Sequence, residues 1–265
     1  MMSRRFSIES AILPGLVVII AAFLFGVLLT RSSAQAQQPM PLPPAGGTPV
    51  VTRDVDTAQL TPVQPSTDVR TLQDVSVFDL RGWHRPPAGA TGRDGSPAGY
   101  VNVLRMRKLR DVQQDVSHYA TSGTVIDLSC LTLTCAAERA RFREHDASWT
   151  EYALKADISH VRRGDEFLLV VNGTYWDGFR NDTLESADTY LDYDGDPDTQ
   201  LSLVVLFSPK KPGRIVRLDR VDDKTSATFP IPFLGVVAAD TPRTVFRWDV
   251  AHPVRGSHYV ATWRW

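Results

Sequence analysis

Two five-residue runs constrain the fold most, Phe167 to Val171 (FLLVV) and Leu203 to Phe207 (LVVLF). Each is apolar at odd and even positions alike, so an extended chain made from either puts oily side chains on both faces and must be covered above and below. Both runs are too short for a core helix, and their paired valines favour extended backbone. The chain therefore needs a sheet with at least two central strands, and other strands to flank and cover them.

The flanking strands are legible too. Short runs rich in β-branched and aromatic residues stand between clusters of Gly, Pro, Asn and Asp: Val75 to Leu80, Tyr152 to His160, Glu166 to Asn172, Leu201 to Ser208, Arg214 to Val221, Arg243 to Val250 and Ser257 to Trp263. Tyr152, Leu154, Ala156 and Ile158 alternate with polar or small residues, which is the pattern of a strand covering a core on one face. Asn172-Gly173 carries the signature of a two-residue hairpin turn, and Arg162 to Asp165 reads as a turn between the strands on either side. Ala136 to His145 has the composition of a helix, and Pro97 suits the first position of a helix or a turn. Tyr100 to Tyr119 mixes both periods. The expectation is a mainly β fold, an antiparallel β-sandwich of jelly-roll or Ig-like type over residues 68–265, with at most one or two short helices and an N-terminal apolar helix before it.

That apolar helix is expected from Ser10 to Thr30, which holds no charge and is long enough to cross a bilayer at about 1.5 Å per residue. Arg4 and Arg5 precede it, so the positive-inside bias keeps the N-terminus in the cytoplasm and sends the rest of the chain out. Residues 1–31 serve either as a transmembrane anchor through residues 10–30 or as a signal peptide, with Ala34-Gln35-Ala36 offering a cleavage site after Ala36. Either reading places the domain outside the cytoplasm, anchored by a single pass or released to the periplasm or medium. Residues 32–67 are rich in proline and poor in aromatics, the composition of an extended, disordered linker.

Charge excludes one class of function. With 29 Lys and Arg against 30 Asp and Glu, the chain lacks the basic excess needed to neutralise phosphates, so no nucleic-acid partner is expected. Arg105, Arg107, Lys108 and Arg110 form a local basic cluster that reads as a solvated face. In an exported chain the only two cysteines, Cys130 and Cys135, should form a disulfide, which requires Leu131 to Thr134 to turn.

The acidic segment Trp176 to Gln200 is the strongest candidate site. Its carboxylates Asp177, Asp182, Glu185, Asp188, Asp192, Asp194, Asp196 and Asp198 face a single Arg180. Asp192, Asp194, Asp196 and Asp198 at alternate positions resemble the opening of a Ca2+ loop, since a hard cation takes several carboxylate oxygens. Pro197 and Leu203 stand where an EF-hand needs Gly and Glu, so only a looser Ca2+ site fits. Tyr175, Trp176, Tyr190 and Tyr193 interleave with these carboxylates, a mixture of aromatic faces and acceptors suited to a sugar or a cation.

Other chemistry is scarce. The six histidines show no zinc spacing, and His252 and His258 are separated by Pro253 and Gly256. Ser96 lacks the surroundings of a nucleophile elbow. Tyr259, Ala261, Trp263 and Trp265 share one face of the last strand, which reads as an edge strand docking aromatics on the core. No catalytic residue is assigned. The leading expectation is a cell-envelope binding or scaffolding domain with a protein or glycan partner. Its competitor is an exported glycan hydrolase using Asp177, Asp192 and Asp194.

Overall fold

The computed structural model describes residues 66–90, 92–141, 150–181, 183–191, 195–233, 241–250 and 252–265. The apolar run at 10–30 and most of the linker lie outside them. Among the described residues no helix is long and apolar enough to cross a membrane.

The described chain is mainly β. Fourteen strands run in order: β1 (Val69–Leu80), β2 (Pro97–Lys108), β3 (Gln114–Thr121), β4 (Val125–Cys130), β5 (Cys135–Ala140), β6 (Thr150–Asp157), β7 (Glu166–Trp176), β8 (Leu184–Leu191), β9 (Gln200–Phe207), β10 (Gly213–Asp222), β11 (Thr228–Pro230), β12 (Pro242–Arg243), β13 (Val245–Val250) and β14 (Ser257–Arg264). They form a six-stranded sheet ordered β13-β9-β1-β2-β7-β4, a five-stranded sheet ordered β11-β10-β14-β8 with β12 also on β10, and a three-stranded sheet ordered β3-β6-β5. Pairing is antiparallel except that β1 runs parallel to β9.

Both doubly apolar runs become interior strands of the six-stranded sheet, but only β9 is buried throughout: on β7 Leu169, Val170 and Val171 are buried while Leu168 is 41% exposed. β7 lies between β2 and β4, and β9 lies between β13 and β1. Every residue of β9 after Gln200 is buried. One hydrophobic cluster draws on all three sheets: Phe78, Leu104 and Leu169 from the first, Ile215 and Trp263 from the second, Tyr152 and Leu154 from the third. Such burial contributes on the order of 25 cal/mol per Å2 of apolar area.

Four local expectations are corrected. The span Ala136 to His145 is not a helix where it is described: Cys135–Ala140 is strand β5, paired with β6, because its disulfide and sheet partner outweigh the helix preference of Ala, Glu and Arg. Asn172-Gly173 is not a hairpin turn. β7 runs straight through it, with Gly173 opposite Tyr100 on β2 and Leu128 on β4. A Cβ at Gly173 would lie 2.4 Å from the Asp127 carbonyl oxygen, so the glycine serves close strand approach. Pro97 begins strand β2 rather than a helix. The last strand is central, between β10 and β8, with Tyr259, Ala261 and Trp263 buried.

The disulfide is present as expected. Cys130 and Cys135 are bonded, and they tie the end strand of the six-stranded sheet (β4) to the end strand of the three-stranded one (β5). The basic cluster resolves into pairs. Arg105 and Arg107 reach Glu166, and Arg110 reaches Asp68. Lys108 is buried and donates from Nζ to the carbonyls of Ile158 at 3.0 Å and Val161 at 2.9 Å, fixing the turn from β6 to β7. In that turn Gly164 adopts a φ of 92°, which an L side chain disfavours.

Candidate binding cavity

A cavity of about 1170 Å3 is walled by β1, β2, β3 and β8, with the ends of β10 and β14 also lining it. Its wall on the six-stranded sheet comes from alternation with a twist: along β1 the inward positions read Asp74, Ser76, Phe78 and Leu80, so two polar residues stand where the pattern would place core. Opposite them β2 presents Tyr100, Asn102 and Leu104. Asn102 is the hub. Its Nδ2 donates to Asp74 Oδ1 at 2.5 Å and to Ser76 Oγ at 3.4 Å, while its Oδ1 accepts from Tyr119 Oη at 3.0 Å. Ser76 and Tyr100 hydroxyls lie 3.4 Å apart. Burial pushes the Asp74 carboxyl up to about 6, the hydrogen bonds from Asn102 and Ser76 offsetting only part of the desolvation. Burial likewise pushes Asp115 up to about 6 and raises the phenols of Tyr100, Tyr119 and Tyr175.

The facing wall carries a histidine held by two carboxylates. His258 Nδ1 lies 2.6 Å from Asp188 Oδ2, and its Nε2 lies 3.4 Å from Asp223 Oδ1. Burial opposes its charge, yet the hydrogen bond and charge of Asp188 and the charge of Asp223 prevail and raise its pKa. Tyr190 stacks on the imidazole with ring centroids 4.4 Å apart. A second pair, His118 Nε2 and Glu151 Oε1 at 3.2 Å, stands on the β3 side. In all, Asp74, Asp115, Asp188, Asp196 and Asp223 line the cavity against Arg70 and Arg255.

The four predicted ligand-binding aromatics are divided by this geometry. Tyr175 and Tyr190 line the cavity. Trp176, next to Tyr175 on β7, points to the other face, where its indole Nε1 donates to Asp127 Oδ2 at 2.8 Å. Tyr193 lies outside the described residues, as do Asp192 and Asp194 of the predicted Ca2+ set. Of the other two, Asp196 is ion-paired with Arg70 and accepts from the Asp198 N–H at 2.9 Å, the hydrogen bond of a tight turn. No group of three His, Cys, Asp or Glu suited to a metal occurs among the described residues.

Asp177, offered to the hydrolase reading, is a loop anchor. It is buried, with φ 62°, and accepts from the Gly92 N–H at 2.6 Å, the Ser96 N–H at 3.3 Å and the Thr124 hydroxyl at 2.8 Å. A Cβ at Gly95 would lie 1.7 Å from its Oδ1, so the loop from Gly92 to Ser96 is moulded around this carboxylate. Sequence reasoning missed Asp74, Asn102, Tyr119 and His258 as cavity residues. The signal available was polarity at inward positions of otherwise core-facing strands.

Comparison with protein-family models and with curated proteins finds no match. Among solved structures, the chain is similar to native leukotriene A4 hydrolase from Saccharomyces cerevisiae, at 10% identity and a TM-score of 0.33. The likeness spans 74% of this chain and 29% of that protein.

Proposed function

We propose that this chain is an exported cell-envelope binding domain, an open β-sandwich held beyond the membrane by residues 10–30 and the proline-rich linker, or released by cleavage after Ala36. The cavity is the binding site. The observation that carries the reading is its lining: a polar hub on Asn102, aromatic walls, and carboxylates already satisfied by protein partners, which suits recognition of a ligand rather than proton transfer.

His258 supports binding over hydrolysis. A general base needs an imidazole nitrogen open to the proton it removes, and here both nitrogens meet carboxylates. Asp177 is similarly occupied by backbone and hydroxyl donors. The test is a reducing-end assay with the full chain on polysaccharide from the source envelope. A binding domain releases no new reducing ends. Release that disappears in Asp188→Asn would establish the glycan hydrolase instead.

A further inference from the structure

We propose that two copies of this chain pair through the outward face of the six-stranded sheet, sheet against sheet, as a symmetric dimer. The inference stands apart from the cavity, which lies on the inward side of the same sheet.

Strand register sorts the side chains of that sheet into two faces. Phe78, Tyr100 and Leu169 are on the inward face and join the main hydrophobic cluster with residues of the other two sheets. Alternate positions point the other way. There Val75 and Val77 of β1 stand opposite Val103 and Val101 of β2, Val103 stands opposite Val170 of β7, and Val77 stands opposite Val204 of β9. Leu168 on β7, and Leu206 with Val245 on β9 and β13, extend this aliphatic patch to its two ends. Among the described residues none of these side chains belongs to a hydrophobic cluster.

Part of the patch is still open. Val170, Val204 and Leu206 are buried within the single chain, but the four valines of β1 and β2 are only half-buried, and Leu168 and Val245 are 41% and 55% exposed. Aliphatic side chains contiguous over five strands mark an interaction surface rather than scattered surface residues. The run FLLVV needs cover on both faces, and on the outward one its Leu168 lacks it.

Charge and area assign the cover to a second copy. The charged side chains at the rim are paired within the chain: Arg105 and Arg107 with Glu166, Arg247 with Asp249, and Arg81 with Asp79. An oppositely charged partner would have to break these pairs, and the rim carboxylates disfavour an anionic lipid surface. What remains is a twisted aliphatic sheet face, which fits another face of the same twist at about −30°. Each copy brings one, and a two-fold axis makes the patch complementary to itself. With strands about 4.8 Å apart and the eight residues of β9 covering about 25 Å, the face from β7 to β13 projects about 500 Å2 on each copy. Two copies reach the roughly 1,000 Å2 that a specific interface needs. On β4 the same face carries Asp127 and Ser129, a polar flank outside the contact.

The experiment measures the protein mass of the full chain in density-matched detergent micelles by sedimentation equilibrium, together with the thiol-labelling rate of Val101→Cys over a range of chain concentrations. Two chains per particle are expected. Leu168→Glu, which sets a carboxylate beside Arg105 at an exposed position, should weaken the dimer at least ten-fold with the β-sheet circular dichroism unchanged. Labelling of Val101→Cys should slow at least five-fold as concentration rises, and labelling of Leu184→Cys, exposed on the five-stranded sheet, should not change. A single-chain mass at every concentration would overturn the proposal. So would a dimer indifferent to Leu168→Glu, since another surface would then hold it. Protection of Val101→Cys that does not depend on concentration would give the cover to the chain's own remaining segments and overturn the dimer as well. None of these results touches the cavity, whose reading stands or falls by its own test.

Discussion

His258 and Asp188 meet across β14 and β8 with Nδ1 and Oδ2 2.6 Å apart, on the wall of the cavity, the imidazole the more buried of the two. Because the folded pKa of His258 is raised above its usual 6.5, the folded chain holds that proton more tightly than the unfolded chain does. The stability from this contact is complete below pH 6.5 and is lost as pH rises through the folded pKa. Urea unfolding from pH 5.5 to 8.5 should show this decline, and His258→Gln should flatten it. An unchanged slope in the variant would contradict the assignment.

Asp74 acts in the same direction at lower pH. Its carboxyl, pushed up to about 6 from 3.8, is most at ease protonated, so stability falls as pH rises from about 4 to about 6. At about 1.4 kcal/mol per pH unit, Asp74→Asn should stabilise the fold at pH 8 by about 1 to 3 kcal/mol, with little change at pH 4. Loss of stability at pH 8 would show that the ionised carboxylate is needed by the hub.

Lys108 has a different role. Truncation to Met leaves the Ile158 and Val161 carbonyls buried without their donor, and at roughly 1 to 3 kcal/mol for each such group the fold should lose about 2 to 4 kcal/mol. Denaturant unfolding at neutral pH checks this. A loss below about 0.5 kcal/mol, the ordinary scale of a surface change, would mean the ammonium is dispensable.

The Cys130–Cys135 bond closes a short loop across two sheets. For so short a loop the chain-entropy model assigns about 2 kcal/mol. Cys130→Ser with Cys135→Ser should therefore lower stability by about that amount while the fold persists, as read by calorimetry.

Gly173→Ala tests the corrected turn. Its Cβ would press on the Asp127 carbonyl, so β4 should loosen from β7 at a cost of about 1 to 3 kcal/mol, whereas a true hairpin turn would show no such clash. Amide exchange in Val125–Cys130 should rise selectively.

Much of this fold was readable because burial imposes a period of two. The doubly apolar β7 and β9, and the alternating β6 and β14, announced themselves. β8 did not, since Ala187, Thr189 and Leu191 are small or modest on the buried side, and Glu185 before them and Asp188 among them make the segment resemble an acidic loop. β5 was hidden by strong helix formers that a disulfide and a neighbouring strand overrule. Tyr175 and Tyr190, singled out among the carboxylates of the acidic segment, line the cavity, but no residue of the hub stood out in the sequence. Asp74, Asn102 and Tyr119 come from three strands, and only the pairing of β1 with β2 and the packing of β3 bring them within hydrogen-bond reach.

The cavity as binding site is tested most directly by photocrosslinking in the source cells, with benzoylphenylalanine placed at Ser122 on the cavity rim or at Ser129 on β4 away from it. A single discrete adduct from the Ser122 probe, competed away when Asp188→Asn and Tyr175→Ala are combined with it, is the predicted result. Equal adducts from both positions, or adducts from Ser129 alone, would contradict it.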